Sequence, residues 1–568
     1  MRSPEKNASI RIAALLLCAG LFLMPRLWGL GRNWTADEKH WLERSYHFCA
    51  ELEKGDYEDT VRSVHPGVVT MWTLAITQKL MGYRAPDSDG PKASPDDVGE
   101  NELRIMKGGL IVVCLLLFVL IYFLLRRLVG FEAAIMACIF IGLDPLLAGY
   151  TRTLHLDGIY VLCGLASMLA GLIYYLGEST GSEYPDASNL SGTRRRAAIR
   201  WAAVSGILAG LATLNRSQGV IFVLLFSGFG IVAVVREGMT GRASWKISSL
   251  EFFKAFLLFS CCWAVTIFAL FPALWTAPVE SIEEILSGGV ELVSRRHRHP
   301  LYFMGRRFYD APGYIGRQLL YWFIFCFRIP PPVIIALGCG CAFLVLRFRS
   351  LYRDRPARKT FIIVTVVSII AYISLISIST KTTSDGRYIL LAFPLASIAA
   401  GIFVVDASRA LAKRSGRLCH PLALPLVFAF VSIVNSALAM PYPLAYASPL
   451  IGGLRGYHRI SSYGWGEGFY EVALWLRKHG RQESTVAVNY RGLEPYHRGP
   501  IIPLKDIKDR VAEKADVVAL YSSPVFRDMP RGIDKIKSVL DRAGYEKHVI
   551  RIGGAVYFTI YDVEGGRD

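Results

Sequence analysis

Residues Asn33–Phe48 read NWTADEKHWLERSYHF, and the fold turns on where that stretch lies. It follows an apolar segment, residues 10–30, long enough to cross the roughly 30 Å hydrocarbon layer of a bilayer. An adjacent acid pair, Asp37 and Glu38, therefore stands at a membrane edge, with Trp34 and Trp41 on either side.

The rest of the chain repeats the first part of that pattern. Of its 568 residues 53% are hydrophobic and 12% aromatic, the mean hydropathy is +0.35, and apolar runs of about 20 residues recur, which marks a polytopic α-helical membrane protein. The formal charge of +18 would suit a nucleic-acid partner, but the basic residues sit in short connections between apolar segments, so no nucleic acid is expected. Eleven cysteines are scattered through those segments with no CxxC repeat and no Cys/His ligand spacing, which leaves neither a disulfide framework nor a structural zinc site.

Eleven spans are expected, at about 10–30, 105–125, 131–149, 157–176, 200–214, 218–235, 255–275, 331–347, 360–379, 388–405 and 419–440. The connections at Arg126 and Arg127, RRRAAIR from Arg194, REGMTGR from Arg236, RFRSLYRDRPARK from Arg347 and RALAKRSGR from Arg409 then share one side, which the positive-inside rule makes cytoplasmic. The N-terminus is cytoplasmic on this count. Loops 31–104 and 276–330 are external, as is everything after about 441. If the first segment is instead a signal peptide, with Arg2, Lys6 and Arg11 ahead of its apolar core, the acid pair still lies outside.

The division expected is a transmembrane unit, 1–440, and a small external α/β domain, 441–568. In the latter a helical EGFYEVALWLRKHG precedes strand-like STVAVNY and ADVVALYSS, a helical GIDKIKSVLDRAG, and a hairpin, HVIRIGGAVYFTIYDV, turning at Gly553 and Gly554.

Four external features carry charges that a connector does not need. They are Asp37-Glu38; His65-Pro66-Gly67; TRTLHLDG, with Arg152, His155 and Asp157; and TKTTSDGRY, with Lys381, Asp385 and Arg387. Ionisable groups at a membrane edge are costly against lipid, so acids and cations gathered on one face point to a cavity inside the bundle. A carboxylate that takes a hydroxyl proton, beside guanidinium groups that stabilise a leaving phosphate, suits sugar transfer from a lipid phosphate.

The series TADEKHW, HPGVVTMW, DPLLAGYTRTLHLDGIYVLCGLAS, GILAGLATLNRSQGVIFVLL, FRIPPPVIIALG, DGRYILLAFPLASIAAG and YPLAYASPLIGGLRGYHRISSYGWGEGFYEVALWL resembles membrane glycosyltransferases of the GT-C class. The branch resembled holds the protein O-mannosyltransferases and the lipid A aminoarabinose transferase. That resemblance implies a GT-C fold and an inverting transfer of a monosaccharide from a polyprenyl- or dolichyl-phosphate donor to an acceptor hydroxyl on a protein, lipid or glycan, at the outer face of the plasma (inner) membrane. It makes Asp37 the base with Glu38 in support, and Asp157 the second acid. Arg152 is left between phosphate contact and pairing with Asp157. His65 takes an HPP-like position that Gly67 only partly completes. Arg387, with Tyr388, is the first choice for the lipid phosphate and Lys381 the second. No cofactor is required, although Asp37, Glu38 and Asp157 could hold a divalent cation.

Other residues admit two readings. Arg216 in NRSQG either seals a helix end or faces the cavity. The basic SRRHRHP, from Ser294, is either a headgroup-facing surface or an anion site. Trp34, Trp41, Tyr46 and Trp72 either anchor at the interface or stack on a sugar. A flippase for a lipid-linked sugar would call for two related halves, and an assembly protein would leave the convergence of acids and arginines without a purpose.

Overall fold

The computed structural model describes residues 4–60, 65–82, 99–176, 192–239, 245–294, 301–304, 306–308, 313–351, 356–378, 386–415, 420–461, 464–507, 514–522 and 533–564. Lys381, Asp385 and most of SRRHRHP lie outside them.

Apolar helices dominate. In chain order the first ten are α1 (Pro4–Leu27), α2 (Ala36–Lys54), α3 (Val68–Leu80), α4 (Glu100–Val129), α5 (Phe131–Leu143), α6 (Pro145–Arg152), α7 (Asp157–Leu176), α8 (Gly192–Asn215), α9 (Ile221–Met239) and α10 (Trp245–Leu270). Among the described residues eight helices are long and apolar enough to cross a membrane, and ten spans result if each of two bent pairs counts as one. The eleventh expected span is the shorter apolar helix Ala423–Leu438, of 16 residues.

Both bends have a covalent cause. The α5–α6 pair turns by 64° at Asp144-Pro145: the proline takes the first helical position, and the Asp144 carboxylate accepts from the Leu147 N–H at 2.9 Å. The second pair, Tyr314–Arg328 and Pro331–Gly340, turns by 112° across Ile329-Pro330. Only the later half of it was expected as a span. The earlier half carries Arg317 and Arg328 on its buried face, and those charges conceal it from a hydropathy reading.

The α5 helix is apolar all round and nearly all of it is buried. So α5 lies at the centre against Ala392–Ser415, and the two meet backbone to backbone: a Cβ on Gly401 would stand 2.6 Å from the Ala137 nitrogen. A Cβ on Gly206 would likewise stand 2.3 Å from the Phe259 carbonyl, which brings α8 onto α10. Small residues serve this purpose where lipid supplies no hydrophobic drive between helices. The outer helices instead expose large apolar side chains, Leu257, Val265 and Phe268 on α10 and Phe430 and Leu438 on Ala423–Leu438.

Toward the C-terminus a hairpin, β1 (Leu301–Phe303) with β2 (Arg306–Phe308), precedes a five-stranded sheet of β3 (Val486–Val488), β4 (Ile501–Pro503), β5 (Val517–Tyr521), β6 (Glu546–Ile552) and β7 (Ala555–Asp562). The order is β4-β3-β5-β7-β6; β3 runs parallel to β4 and β5, whereas β7 is antiparallel to β5 and β6. Strand β4 was not expected. It has three residues and ends in proline, which a sheet accepts at its edge, where β4 lies. One continuous hydrophobic cluster joins Val486, Val517, Phe469 and Phe558 of this α/β unit to Trp34, Leu42, Leu103 and Leu154, so the sheet is packed on the end of the bundle that carries the acid pair.

Gly401→Ala should lower the melting temperature, since the new methyl meets backbone and overpacking costs about 1–3 kcal/mol. Gly108→Ala in α4, where nothing lies within 4 Å of the added carbon, should leave it unchanged or raise it by the helix preference of alanine, about 0.5–1 kcal/mol. Thermal unfolding of the two variants in detergent checks both signs.

Candidate functional site

The acid pair divides at the start of α2. Thr35 caps the helix in a capping box: its backbone N–H donates to Glu38 Oε2 at 2.8 Å, and its side chain accepts from the Glu38 N–H. Glu38 is thereby turned inward and fully buried, and its Oε1 accepts from the Leu154 N–H and from Lys107 Nζ, each at 2.8 Å. Lys107 also donates to the Asn33 carbonyl. Glu38 thus supports Asp37 through the backbone, by tying the first loop to α4 and to the α6–α7 turn. Asp37, one residue earlier, points the other way and keeps about a third of its side chain exposed.

Around Asp37 charges alternate. Arg387 Nη1 donates to Asp37 Oδ2 at 3.0 Å, and His155 Nε2 stands 3.5 Å from the same oxygen. The other face of that imidazole, Nδ1, is 3.0 Å from Asp157 Oδ2, and the remaining oxygen of Asp157 takes the Arg216 guanidinium. The series therefore runs Arg387, Asp37, His155, Asp157, Arg216, drawn from the first turn of α2, the α6–α7 turn with the start of α7, the end of α8 and the turn at Gly386–Ile389. Tyr388 lies within 5.1 Å of the Arg216 guanidinium carbon and 5.2 Å of that of Arg387. Trp41 meets His155 edge-on at 5.8 Å, and Trp465 meets it on another side at 5.5 Å.

This setting governs protonation. Burial alone would raise the Asp37 carboxyl, but the hydrogen bond from His155 and the charge of Arg387 overcome it and hold the group well below the usual carboxylate range. Burial would lower His155, and the two carboxylates on either side of it reverse that and raise it. His65 is in the same electrostatic neighbourhood, where burial and then Arg216 push its imidazole down to about 3, so it is neutral.

The expected residues take distinct places. Asp37, Asp157, His65, Arg387 and Tyr388 come together. Arg152 does not join them: it donates to the carbonyls of Pro25, Trp28 and Gly29 at 3.1, 2.8 and 2.7 Å, closing the end of α1. The guanidinium on Asp157 is that of Arg216 instead. Gly67, which breaks the HPP-like pattern, has φ +61°, a value closed to proline, and a Cβ there would strike the Trp41 ring. The reading of Asp37, Glu38 and Asp157 as joint ligands of a cation does not fit these positions, because Glu38 faces away and Asp157 is held by Arg216 and His155. Among the described residues the acids whose ligand atoms gather within 4.8 Å are Glu51, Asp56 and Asp59, at the far end of α2.

Two contributors did not stand out in the sequence. Lys107 sits inside an expected span, where a lone lysine was itself a signal of a buried partner. Trp465 sits in a glycine-rich linker whose signal was glycine at every second position.

No family model matches this sequence, and no characterised protein is found related to it by sequence. The chain is similar in structure to ArnT from Cupriavidus metallidurans bound to undecaprenyl phosphate, with 14% identity, a TM-score of 0.43 and 98% of each chain covered. It is also similar to the oligosaccharyltransferase AglB from Archaeoglobus fulgidus in complex with an inhibitory peptide and a dolichol-phosphate, at 11% identity and TM-score 0.41, covering 91% of this chain and 70% of that one. A third likeness is to the arabinofuranosyltransferase AftD from Mycobacteria, at 12% identity and TM-score 0.39, covering 97% of this chain and 40% of that one.

Two outcomes follow from the geometry. Because folding raises His155, its contribution to stability is complete below its ordinary value of 6.5 and is lost as pH rises through the raised folded value. The melting temperature should therefore fall as pH rises from about 6.5 through the raised folded value, and His155→Gln should flatten the fall. Arg152→Met should lower the melting temperature at every pH, since it takes the guanidinium donor from the buried Pro25 carbonyl, at about 1–3 kcal/mol, and from the part-buried Trp28 carbonyl at less.

Proposed function

We propose that this chain is an inverting glycosyltransferase that moves a monosaccharide from a polyprenyl- or dolichyl-phosphate donor to an acceptor hydroxyl. One observation carries the reading: the buried charge series has more cations than anions. Arg387, Arg216 and His155, whose protonated form the flanking carboxylates favour, face two carboxylates, Asp37 and Asp157, and the part-exposed one, Asp37, lies beside the Arg387 guanidinium. Surplus positive charge in a desolvated place favours an anion, and a phosphate with an apolar tail is an anion that a membrane edge can deliver.

A guanidinium carries five N–H donors, so Arg387 can hold Asp37 and a phosphate oxygen together. Asp37 then stands next to the sugar at the phosphate end. The acceptor hydroxyl oxygen attacks the anomeric carbon from the face opposite the phosphate, and its proton passes to Asp37. The bond from that carbon to the phosphate oxygen breaks, and the electron pair leaves on the phosphate, where Arg387 stabilises it. A carboxylate kept ionised suits this step, because the hydroxyl gives up its proton only as the new bond forms. Tyr388 and the neutral His65 line the same neighbourhood, and Lys381 remains the second cation proposed for the phosphate. The acceptor is a hydroxyl of a protein, a lipid or a glycan.

The orientation proposed is the one the basic connections favour, with the N-terminus cytoplasmic and both the site and the C-terminal α/β domain, 441–568, on the external face of the plasma (inner) membrane. The test is transfer of labelled sugar from a defined polyprenyl-phosphate donor in membranes holding the native chain or Asp37→Asn at equal expression. Transfer should fall by about 10²- to 10⁴-fold in the variant. Undiminished transfer would remove Asp37 from the chemistry, and no transfer by the native chain from any donor would defeat the reading.

A further inference from the structure

The segment Gly464–Gly468 reads GWGEG, and its three glycines have φ of +134°, +91° and +96°. Side chains are excluded there twice over: by the dihedrals, and at Gly466 by space, since a Cβ would stand 2.4 Å from the Trp34 carbonyl oxygen. On its other flank Gly468 lies against the Phe558 ring of β7. The segment is therefore threaded between the residue that leads into the Asp37 helix and the C-terminal sheet.

What this placement achieves is seen in the two side chains it carries. Trp465 points toward the charge series. Its ring centre is 5.4 Å from the Arg387 guanidinium carbon, 5.5 Å from the His155 ring and 5.9 Å from the Tyr150 ring. Glu467 points the opposite way and is fully buried. Its Oε2 accepts from the Trp465 backbone N–H at 2.6 Å and from the Tyr521 hydroxyl at 3.1 Å, while that hydroxyl accepts from the Gly466 N–H at 3.2 Å. Tyr521 is the last residue of β5. Its backbone is clamped by the Asn489 side chain at 2.7 and 3.0 Å, and its ring packs on Phe469 and Phe558.

We propose that Trp465 is a positioning residue of the active site, holding the Arg387 guanidinium where it meets both Asp37 and the donor phosphate, and that the C-terminal α/β unit takes part in the reaction by fixing Trp465 through Tyr521 and Glu467. The inference rests on the glycosyltransferase reading for its substrate, the lipid-linked sugar phosphate. An arginine side chain reaching a carboxylate from the Gly386–Ile389 turn has several rotamers open to it, and the indole face selects among them by cation–π attraction and by excluding water from one side of the pair. The unit's contribution is then specific: a tyrosine hydroxyl and a buried carboxylate, both remote from the substrate, set the place of one aromatic ring.

The test uses the full chain in lipid nanodiscs, with Trp465→Ala, Trp465→Phe and Tyr521→Phe beside the native protein. Two quantities are read: the affinity for undecaprenyl phosphate alone, taken from the shift in melting temperature that it produces, and the steady-state rate of sugar transfer across pH. Trp465→Ala should weaken the phosphate affinity and raise the donor KM by about tenfold, the scale of a desolvated cation–π contact. It should also move the acidic limb of the rate profile upward. Asp37 faces Arg387, His155 and Arg44, and a looser Arg387 lets its carboxyl take up a proton at higher pH. Trp465→Phe should recover most of the loss. Tyr521→Phe should change KM and the acidic limb in the same direction as Trp465→Ala, which a role in stability alone would not produce. Native affinity and an unmoved acidic limb in Trp465→Ala would overturn the proposal, as would losses in Tyr521→Phe that only track the fraction of folded protein. If the native chain binds the lipid phosphate yet transfers no sugar, the glycosyltransferase reading fails. The positioning role is then decided by affinity: weakened in Trp465→Ala it stands, unchanged it falls.

Discussion

Everything at the end of the bundle that carries the acid pair depends on five ionisable groups largely withdrawn from water together, Asp37 alone keeping about a third of its side chain exposed. Placing any one of Arg387, Asp37, His155, Asp157 or Arg216 at a membrane edge alone would cost several kcal/mol in lost hydration. Arranged with alternating sign, each is compensated by its neighbours, and the imidazole between the two carboxylates is the link that lets the order close. With the imidazole protonated, as its two carboxylate neighbours favour, the compensation is incomplete by one positive charge. A membrane protein rarely keeps such an excess out of water without a use for it.

The surroundings can be understood as the means of bringing those charges to one point. A glycine contact at Gly206 draws α8, after which Arg216 emerges, onto α10, and Gly158, whose Cβ would stand 2.7 Å from the Tyr150 carbonyl oxygen, seats the start of α7 with Asp157 on α6. The proline breaks at Pro145 and Pro330 bend two spans, and α6, redirected by the first, leads into the turn that carries His155. Arg26 and Arg152 spend their donors on backbone carbonyls around the end of α1, and Glu38 with Lys107 ties the first loop to α4. Charges close to the site but outside the series thus have structural tasks, and this separation of roles keeps the series from collapsing onto the wrong partners.

Much of the fold could be read in the sequence, because apolar length and proline position act locally. The expected spans match apolar helices, and four of the five C-terminal strands lie where alternation placed them. The site was legible by residue type but not by partner. Asp37, Asp157, Arg387 and Tyr388 do converge, yet Arg152 takes a helix-end seal that was a reading of Arg216, while Arg216 faces the cavity and takes the pairing with Asp157 that was a reading of Arg152; the packing of α1 decides which guanidinium is drawn off to cap it. Glu38 and Asp37 are adjacent and chemically alike, and a capping box sends them to opposite faces. Trp465 was beyond reach for a similar reason, since a linker's local pattern does not say which distant loop it will cross.

The spread of the charge series along the chain has a consequence for biosynthesis. Asp37 emerges from the ribosome early, His155 and Asp157 later, Arg387 after most of the helices, and Trp465 and Tyr521 near the end. An unfinished chain already threaded into the bilayer holds the carboxylate without the cation that pairs with it and without the ring that lies over that cation. The charge series is completed last, so a truncated product is an inserted but incomplete bundle.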